Sequence, residues 1–380
     1  MENIKAFIQR FWKIGIFAGV TLLLIFSGLV IQRQNRYQDY LQSLKASGFN
    51  KYLDMSPVYS KKVETPLWDI YQFSAPEYEC VMGGDFGLMV HRGKQNDKTV
   101  LWLQPGQECW PGHPNCSSPD GRVSLEQAFE KVLSSANGSP FGPGQPDADN
   151  PLADWNYIYV PSCDGSFHFG DAAADYDDDG MIDHRHNGLR QTSAAVNMMK
   201  TLFPDSKKIL VADSSTGGFG TFGAIPLARL AFPNAGIYVL NDSGPGVFNS
   251  KSPALWPLII QTWNLEPMFP ADCPDCRLQL TYFYDWLLAR DPQLKIGMFS
   301  SYQDAVVGSV VGLSATENET AVLAASGKVH EAHPDTFKRF FIKGASHCIP
   351  DYYWKVQNTT VWNWITYMIT DDPKWKEILE

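Results

Sequence analysis

Positive charge is what this sequence has least of. Lys and Arg number 31 against 41 Asp and Glu, a formal net charge of −10. A surface of that sign repels phosphate backbones and anionic headgroups, so nucleic-acid binding is set aside as a principal function. No internal repeat runs through the 380 residues. A second Cys-x-x-Cys and a thioredoxin-like context are also missing. The single Cys-x-x-Cys run, Cys273-Pro-Asp-Cys276, reads as a tight disulfide, a redox pair or half a zinc site, and without those companions the structural disulfide is favoured. The other cysteines are Cys80, Cys109, Cys116, Cys163 and Cys348; seven is an odd number, so full pairing leaves one thiol over. Cys109 and Cys116 are close enough in sequence to close a short loop.

One long apolar run is present, and it lies at the amino terminus. Ile14 to Ile31 carries no charge for 18 positions, about 27 Å as a helix, close to the thickness of a bilayer's hydrocarbon core. A cleaved signal peptide has a shorter apolar region and a small-x-small site, which is lacking here. The reading is an uncleaved signal anchor, with secretion after cleavage as the alternative. Lys5, Arg10 and Lys13 precede the run, and Arg33 and Arg36 follow it, a small bias toward a cytoplasmic amino terminus. The resulting plan has a cytoplasmic segment over 1–13, a transmembrane anchor over 14–31, a polar tether over 32–66 and the main folded domain over 67–380. That domain is extracytoplasmic (periplasmic, extracellular or lumenal), where disulfides persist.

Within the domain, short apolar runs bounded by turn residues predict buried strands: Gly87–Val90, Thr99–Gln104, Tyr157–Pro161, Lys208–Asp213, Gly236–Asn241, Lys295–Phe299 and Phe340–Ile342. Helical patterns fall between several of them, at Leu189–Leu202, Gly218–Ala231 and Leu278–Ala289. Strands and helices alternating in this way predict an α/β fold, a mostly parallel sheet with helices on both faces, as a single domain.

The run Leu210-Val-Ala-Asp-Ser-Ser-Thr-Gly-Gly-Phe-Gly220 carries an apolar strand into Ser and Gly and then into a helix. A nucleophile elbow has this grammar, because a serine on a sharp strand-to-helix turn needs small neighbours two residues away. Ser215 has Gly217 at that spacing and Asp213 on the other side; Ser214 has no Gly at its own +2, so Ser215 is the candidate nucleophile. The plainer reading is a Ser/Gly turn that caps the next helix. A serine needs a base and an acid, which follow it in the order Asp or Glu, then His. His347 lies just beyond the strand ending at Ile342, whereas His330 and His333 sit in a polar stretch. Asp304 follows the strand ending at Phe299; Asp242, directly after Asn241, is its rival or a structural residue binding nearby amides. Gly106 and Gln107, after the Thr99 strand, and Thr216, after the nucleophile, are candidate oxyanion-hole donors through their backbone N–H groups.

Asp175-Tyr-Asp-Asp-Asp-Gly-Met-Ile-Asp183 places acids at loop positions 1, 3, 5 and 9 with Gly at 6. This is the pattern of an EF-hand-like calcium loop, with Asp175, Asp177, Asp179 and Asp183 as side-chain ligands and Met181 lending its carbonyl. Position 12 is His186 where a bidentate Glu is usual. A solvated acidic turn is the plainer account, and a zinc site using His184 and His186 is disfavoured by the oxygen-rich donor set. Any calcium here would be structural, since triad chemistry needs no cofactor.

Taken in order, Cys80-Val-Met-Gly-Gly-Asp with Val90-His-Arg-Gly93, the Cys109-Trp110 to Cys116 loop, Asn150-Pro-Leu-Ala-Asp-Trp155, Val160-Pro-Ser-Cys-Asp-Gly165, Asp213-Ser-Ser-Thr-Gly-Gly218, Asn241-Asp-Ser-Gly-Pro-Gly246 and Ser346-His-Cys348 resemble the pectin acetylesterase family, most closely its bacterial branch. The resemblance implies an α/β-hydrolase fold for the 67–380 domain, and a catalytic serine esterase acting on an O-acylated glycan or another extracellular acyl carrier through Ser215, Asp304 and His347. Trp110 and Trp155 are candidates for stacking on sugar rings, with burial in the core as the plainer role. Two departures from the family pattern stand out: Pro105-Gly106-Gln107 replaces a triple-Gly oxyanion loop, and Asp213 and Thr216 flank the nucleophile where Gly and Ala are usual. The alternatives are a catalytically inactive, calcium-stabilised surface-binding module and a hydrolase of long-chain lipid esters.

Overall fold

A computed structural model describes residues 27–28, 31–55, 57–74, 76–106, 108–113, 116, 149–249, 254–349 and 351–380. The chain divides into two compact units, Met1–Ser43 and Leu44–Glu380. In the first, the described residues 27, 28 and 31–43 are helical. Most of the expected span 14–31 lies outside the described residues. Among the described residues no helix is long and apolar enough to cross a membrane.

The second unit is built on a ten-stranded sheet. Its strands in chain order are β1 (Lys61–Glu64), β2 (Asp69–Phe73), β3 (Phe86–His91), β4 (Gln95–Leu103), β5 (Trp155–Val160), β8 (Lys208–Ser214), β9 (Gly236–Asp242), β10 (Leu294–Ser301), β11 (Phe337–Ile342) and β14 (Ile378–Leu379). Two small hairpins, β6 (Ala172–Ala174) with β7 (His184–His186) and β12 (Lys355–Val356) with β13 (Thr359–Thr360), complete the set. Across the sheet the order is β1-β2-β3-β5-β4-β8-β9-β10-β11-β14. Pairing is antiparallel from β1 to β5 and parallel from β5 through to β14.

Central strands of a parallel sheet are covered on both faces, and β8 is: Ile209 through Asp213 are all buried. Leu210 and Ala212 join one core with Leu240, Phe299, Phe340 and the helix Val361–Ile369, which supplies Trp362, Trp364 and Met368. Ile209 and Val211 alternate to the opposite face, where the helices Gly188–Leu202 and Thr216–Ala231 lie against β4, β5, β8 and β9. The helix Thr216–Ala231 is almost wholly buried, and its one cation, Arg229, is fully buried too. Arg229 Nε donates to Asp291 Oδ2 at 2.7 Å, and its Nη1 donates to the Ala235 carbonyl at 2.7 Å.

The catalytic domain expected to open at Leu67 begins earlier. Leu44, Phe49 and Tyr52 are fully buried, and β1, upstream of Leu67, pairs with β2. Tyr52 donates to Asp171 Oδ2 at 2.6 Å, so this stretch is part of the fold and not a tether. Aromatic residues spaced for a short helix, Asn50–Leu53, carry a signal that polar neighbours masked. Three disulfides form, Cys80–Cys163, Cys109–Cys116 and Cys273–Cys276, and Cys348 is the free thiol.

Replacing Arg229 with Met would leave Asp291 buried without its countercharge. Urea unfolding should show a loss of about 3–5 kcal/mol; a loss below about 1 kcal/mol would mean water reaches Asp291 more freely than its burial indicates.

Candidate active site

Ser215 is the single residue between the end of β8 and the start of the helix Thr216–Ala231, with φ 55° and ψ −124°. A non-glycine residue there is strained, at a cost of about 1–3 kcal/mol that the surrounding structure must impose. Its own N–H donates to the Asp242 carbonyl at 2.8 Å, and its carbonyl accepts from Phe219 N–H at 3.1 Å. The helix presses close behind it. A Cβ on Gly217 would lie 1.9 Å from the Leu103 carbonyl oxygen, and one on Gly218 would lie 2.8 Å from that of Asp242. These contacts give the +2 glycine its physical reason.

Asp213 fills the position where a second small residue is usual. Its carboxylate folds onto the neighbouring residue, accepting from Ser214 N–H at 2.6 Å and Ser214 Oγ at 3.1 Å, while Oδ2 is buried with no partner. Burial pushes its carboxyl well above the usual range. In its neutral form it adds no charge beside the nucleophile.

Asp304 follows β10 and caps the helix Ala305–Val310, its Oδ1 accepting from the N–H groups of Val306 and Val307, each at 3.0 Å. His347, on the loop after β11, donates from Nδ1 to Asp304 Oδ2 at 2.9 Å. That bond fixes the tautomer and leaves Nε2 as an acceptor. Asp304 is 1% exposed and the His347 side chain 19%, so the acid is shielded and the imidazole reaches solvent. No hydrogen bond joins His347 to Ser215 Oγ among the described residues; such bonds are often long before substrate binds.

Asp242 lies at the end of β9 and accepts from one amide and one hydroxyl: Ile349 N–H donates to its Oδ2 at 2.8 Å, and Ser243 Oγ to its Oδ1 at 2.9 Å. Burial raises its carboxyl to about 7. His330 pairs with Glu377 at 2.9 Å and His333 with Asp285 at 2.8 Å, both away from Ser215 in the contacts they make.

Thr216 is the first residue of its helix, where the N–H has no intrahelical acceptor. The Gly106 N–H donates to Thr216 Oγ1 at 2.6 Å. Gln107 lies outside the described residues. His168, fully buried with φ 58°, donates from Nε2 to the Gln104 carbonyl at 2.9 Å and steadies the approach to Gly106.

A family model for pectinacetylesterases matches residues 60–255, just over half of the chain. The chain belongs to the pectinacetylesterase family. It is a carboxylic ester hydrolase. Among solved structures, the Wnt deacylase Notum from Drosophila superposes with a TM-score of 0.58 at 14% identity, over 85% of this chain and 96% of that one, a likeness that shows the α/β fold. No curated protein matches the chain.

In this pectinacetylesterase-family chain, Glu108 lies near enough to His347 to feel its charge, a proximity that sequence reasoning passed over. It is buried, its carboxyl is raised by that burial, and the charge of His347 acts on it in the opposite sense. The sequence signal for it was slight: an acid among Gly, Pro and Cys in the candidate oxyanion loop. Trp110 and Trp155 are core residues, 7% and 2% exposed; Trp110 packs against His113 and Trp263.

The acidic loop keeps carboxylate oxygens of Asp175, Asp177 and Asp179 within 4.8 Å of one another, while Met181 is exposed. Asp183 turns away from the trio, accepting from Tyr176 N–H at 3.1 Å and pairing with His184 at 2.8 Å. Cys109, Cys116 and His184 also converge, but both sulfurs are spent in their disulfide.

Gly217→Ala places a methyl group against the Leu103 backbone, which cannot rotate away. It should cost about 1–3 kcal/mol in denaturant unfolding and, by tilting the elbow, at least about tenfold in ester hydrolysis; unchanged hydrolysis would mean that the elbow has slack.

Proposed function

We propose that the chain is an extracytoplasmic serine hydrolase of O-acyl esters, acting through Ser215 as nucleophile, His347 as base and Asp304 as the acid that orients His347. The observation that carries this reading is the strained Ser215 turn at the carboxyl edge of the sheet, with the His347–Asp304 pair presented by the next strands along the same edge. Nε2 of His347 takes the hydroxyl proton as Ser215 Oγ attacks the acyl carbon. The same proton then passes to the leaving alcohol, and water releases the acyl-enzyme by the reverse route.

The oxyanion is received by the N–H groups of Thr216 and of the Gly106–Gln107 loop. In the free protein the Thr216 hydroxyl takes the Gly106 N–H; an incoming carbonyl oxygen replaces it by rotation of the threonine side chain.

An O-acetylated polysaccharide is the favoured substrate. Support comes from the family's name and from Tyr353 and Trp354, 49% and 40% exposed on the segment that follows the His347 loop, which offer flat faces to sugar rings. Three disulfides fit an oxidising compartment, and the uncharged run over 14–31 suits a membrane anchor. A structural calcium ion at Asp175, Asp177 and Asp179, with the Met181 carbonyl, fits three convergent carboxylates and the buried, unpartnered Asp175 Oδ1. As the side chains lie, Asp183 would join only by leaving His184.

Two measurements test this. A chromogenic acetate ester should be hydrolysed by the wild type, and Ser215→Ala should lose about 10³-fold or more of kcat, with Asp304→Asn losing a comparable factor; equal rates in wild type and Ser215→Ala would remove Ser215 as nucleophile. Millimolar calcium should raise the melting temperature of the chelator-treated wild type by a few degrees and leave an Asp175→Ala/Asp177→Ala variant unmoved. Equal responses would place any calcium effect elsewhere.

A further inference from the structure

The run Asn241-Asp-Ser-Gly244 has no part in the chemistry so far, yet it touches both halves of it. On one side it holds the elbow. The Asp242 carbonyl accepts the Ser215 N–H at 2.8 Å, and Asn241 Nδ2 donates to the Gly218 carbonyl at 3.0 Å. Gly244 is pressed so near that a Cβ on it would lie 2.4 Å from the Gly218 carbonyl carbon. On the other side it holds the histidine loop. Cys348 N–H donates to Ser243 Oγ at 3.0 Å, Ser243 Oγ donates to Asp242 Oδ1 at 2.9 Å, and Ile349 N–H donates to Asp242 Oδ2 at 2.8 Å. Ser243 and Cys348 both adopt positive φ, 57° and 65°, so neither backbone rests in its own preferred basin. All of Asn241, Asp242 and Ser243 are buried.

We infer that Asp242 and Ser243 are positioning residues that set the reach of His347 toward Ser215, by tying the two residues after His347 to the strand end that also anchors the nucleophile's amide. The inference rests on the Ser215–His347–Asp304 reading. The ionised carboxylate suits the task because it accepts at both oxygens, whereas a neutral carboxyl must turn an O–H toward one of two donors.

The groups facing Asp242 are Asp213 from the end of β8, Asp304 from the turn after β10, and His347, Cys348 and Tyr352 from the loop after β11. Burial is the main cause of its raised carboxyl, with Asp304 adding to it and the Ile349 and Ser243 bonds and His347 opposing it, for a value of about 7. As pH falls through that value, Asp242 gains its proton and the double acceptor is lost. The linkage runs the other way for stability: a carboxyl raised in the folded state contributes stability at low pH that is lost as pH rises toward 7.

The test uses full-length protein with Asp242→Asn and Ser243→Ala, beside Ser215→Ala. An Asn side chain keeps the shape but offers N–H where Ser243 donates. Both positioning variants should lose about tenfold to a hundredfold in kcat with KM within about twofold, the scale of a small misplacement of a catalytic group. Asp242→Asn should also lack the ionisation near pH 7 in the acid limb of kcat, and its melting temperature relative to wild type should rise between pH 5 and pH 8. Amide exchange at Cys348 and Ile349 should accelerate in both variants, a readout independent of hydrolysis. If both variants keep wild-type kcat and a superimposable pH profile, or if amide exchange there is unchanged, the inference is overturned. Loss of hydrolysis in Ser215→Ala tests the underlying reading separately.

Discussion

Everything at the site depends on one backbone hydrogen bond, Ser215 N–H to the Asp242 carbonyl. It closes a turn that serine does not take unaided, φ 55° and ψ −124°. A strain of about 1–3 kcal/mol persists only where the surroundings leave no other choice. Here they leave none. Leu103 and Asp242 stand so close to Gly217 and Gly218 that the helix can neither slide nor roll, and the helix itself is fixed at its far end by a buried Arg229–Asp291 pair. The sheet and the glycine face together force the serine into view.

That constraint also arranges the acids. Three aspartates, Asp213, Asp242 and Asp304, stand at or just beyond the carboxyl ends of the neighbouring strands β8, β9 and β10. Three like charges in one buried place would repel one another and the desolvated site would favour their neutral forms. Their partners separate them. Asp304 receives two helix amides and the imidazole, whereas Asp213 has only its neighbour Ser214 and keeps one oxygen without a partner. Asp242 lies between the two, with one donor from the histidine loop, Ile349 N–H, and one from its own neighbour, Ser243. One edge of one sheet thus holds three carboxyls in three settings: one on the imidazole, one between a loop amide and a hydroxyl, and one whose burial favours its neutral form.

Much of this was legible in the sequence, where the signals were local. Apolar runs ending in Gly, Pro or Asp gave β3, β4, β5 and β8 through β11 to within a few residues, because a strand buried on both faces has no other way to be written. The choice of Ser215 over Ser214 followed from Gly217, and Gly217 proves to be the residue against which the Leu103 carbonyl lies. What escaped was non-local. Nothing in Lys61–Glu64 announces an edge strand, since exposed strands carry ordinary polar residues, and Phe49 and Tyr52 reveal their burial only when the helix Gly188–Leu202 is placed beside them. The stacking roles considered for Trp110 and Trp155 failed for a related reason: an indole looks the same in sequence whether it faces a sugar or the core. Glu108 is legible only through the proximity of His347, 239 positions further along.

The two departures from the family pattern are small when weighed as energies. Asp213 would burden the elbow as a charge beside Ser215, but burial raises its carboxyl and favours the neutral form, and its Oδ1 is folded onto Ser214. The Thr216 hydroxyl blocks the Gly106 N–H with one neutral hydrogen bond. Such a bond is worth about 0.5–1.5 kcal/mol net, a factor of about ten at most in rate. An oxyanion accepting from the same N–H forms a charge-assisted bond roughly twice as strong. With the Gly106 N–H as the proposed oxyanion donor, the substrate's oxygen wins that exchange as charge develops on it, and the threonine costs the transition state at most the one bond it gives up.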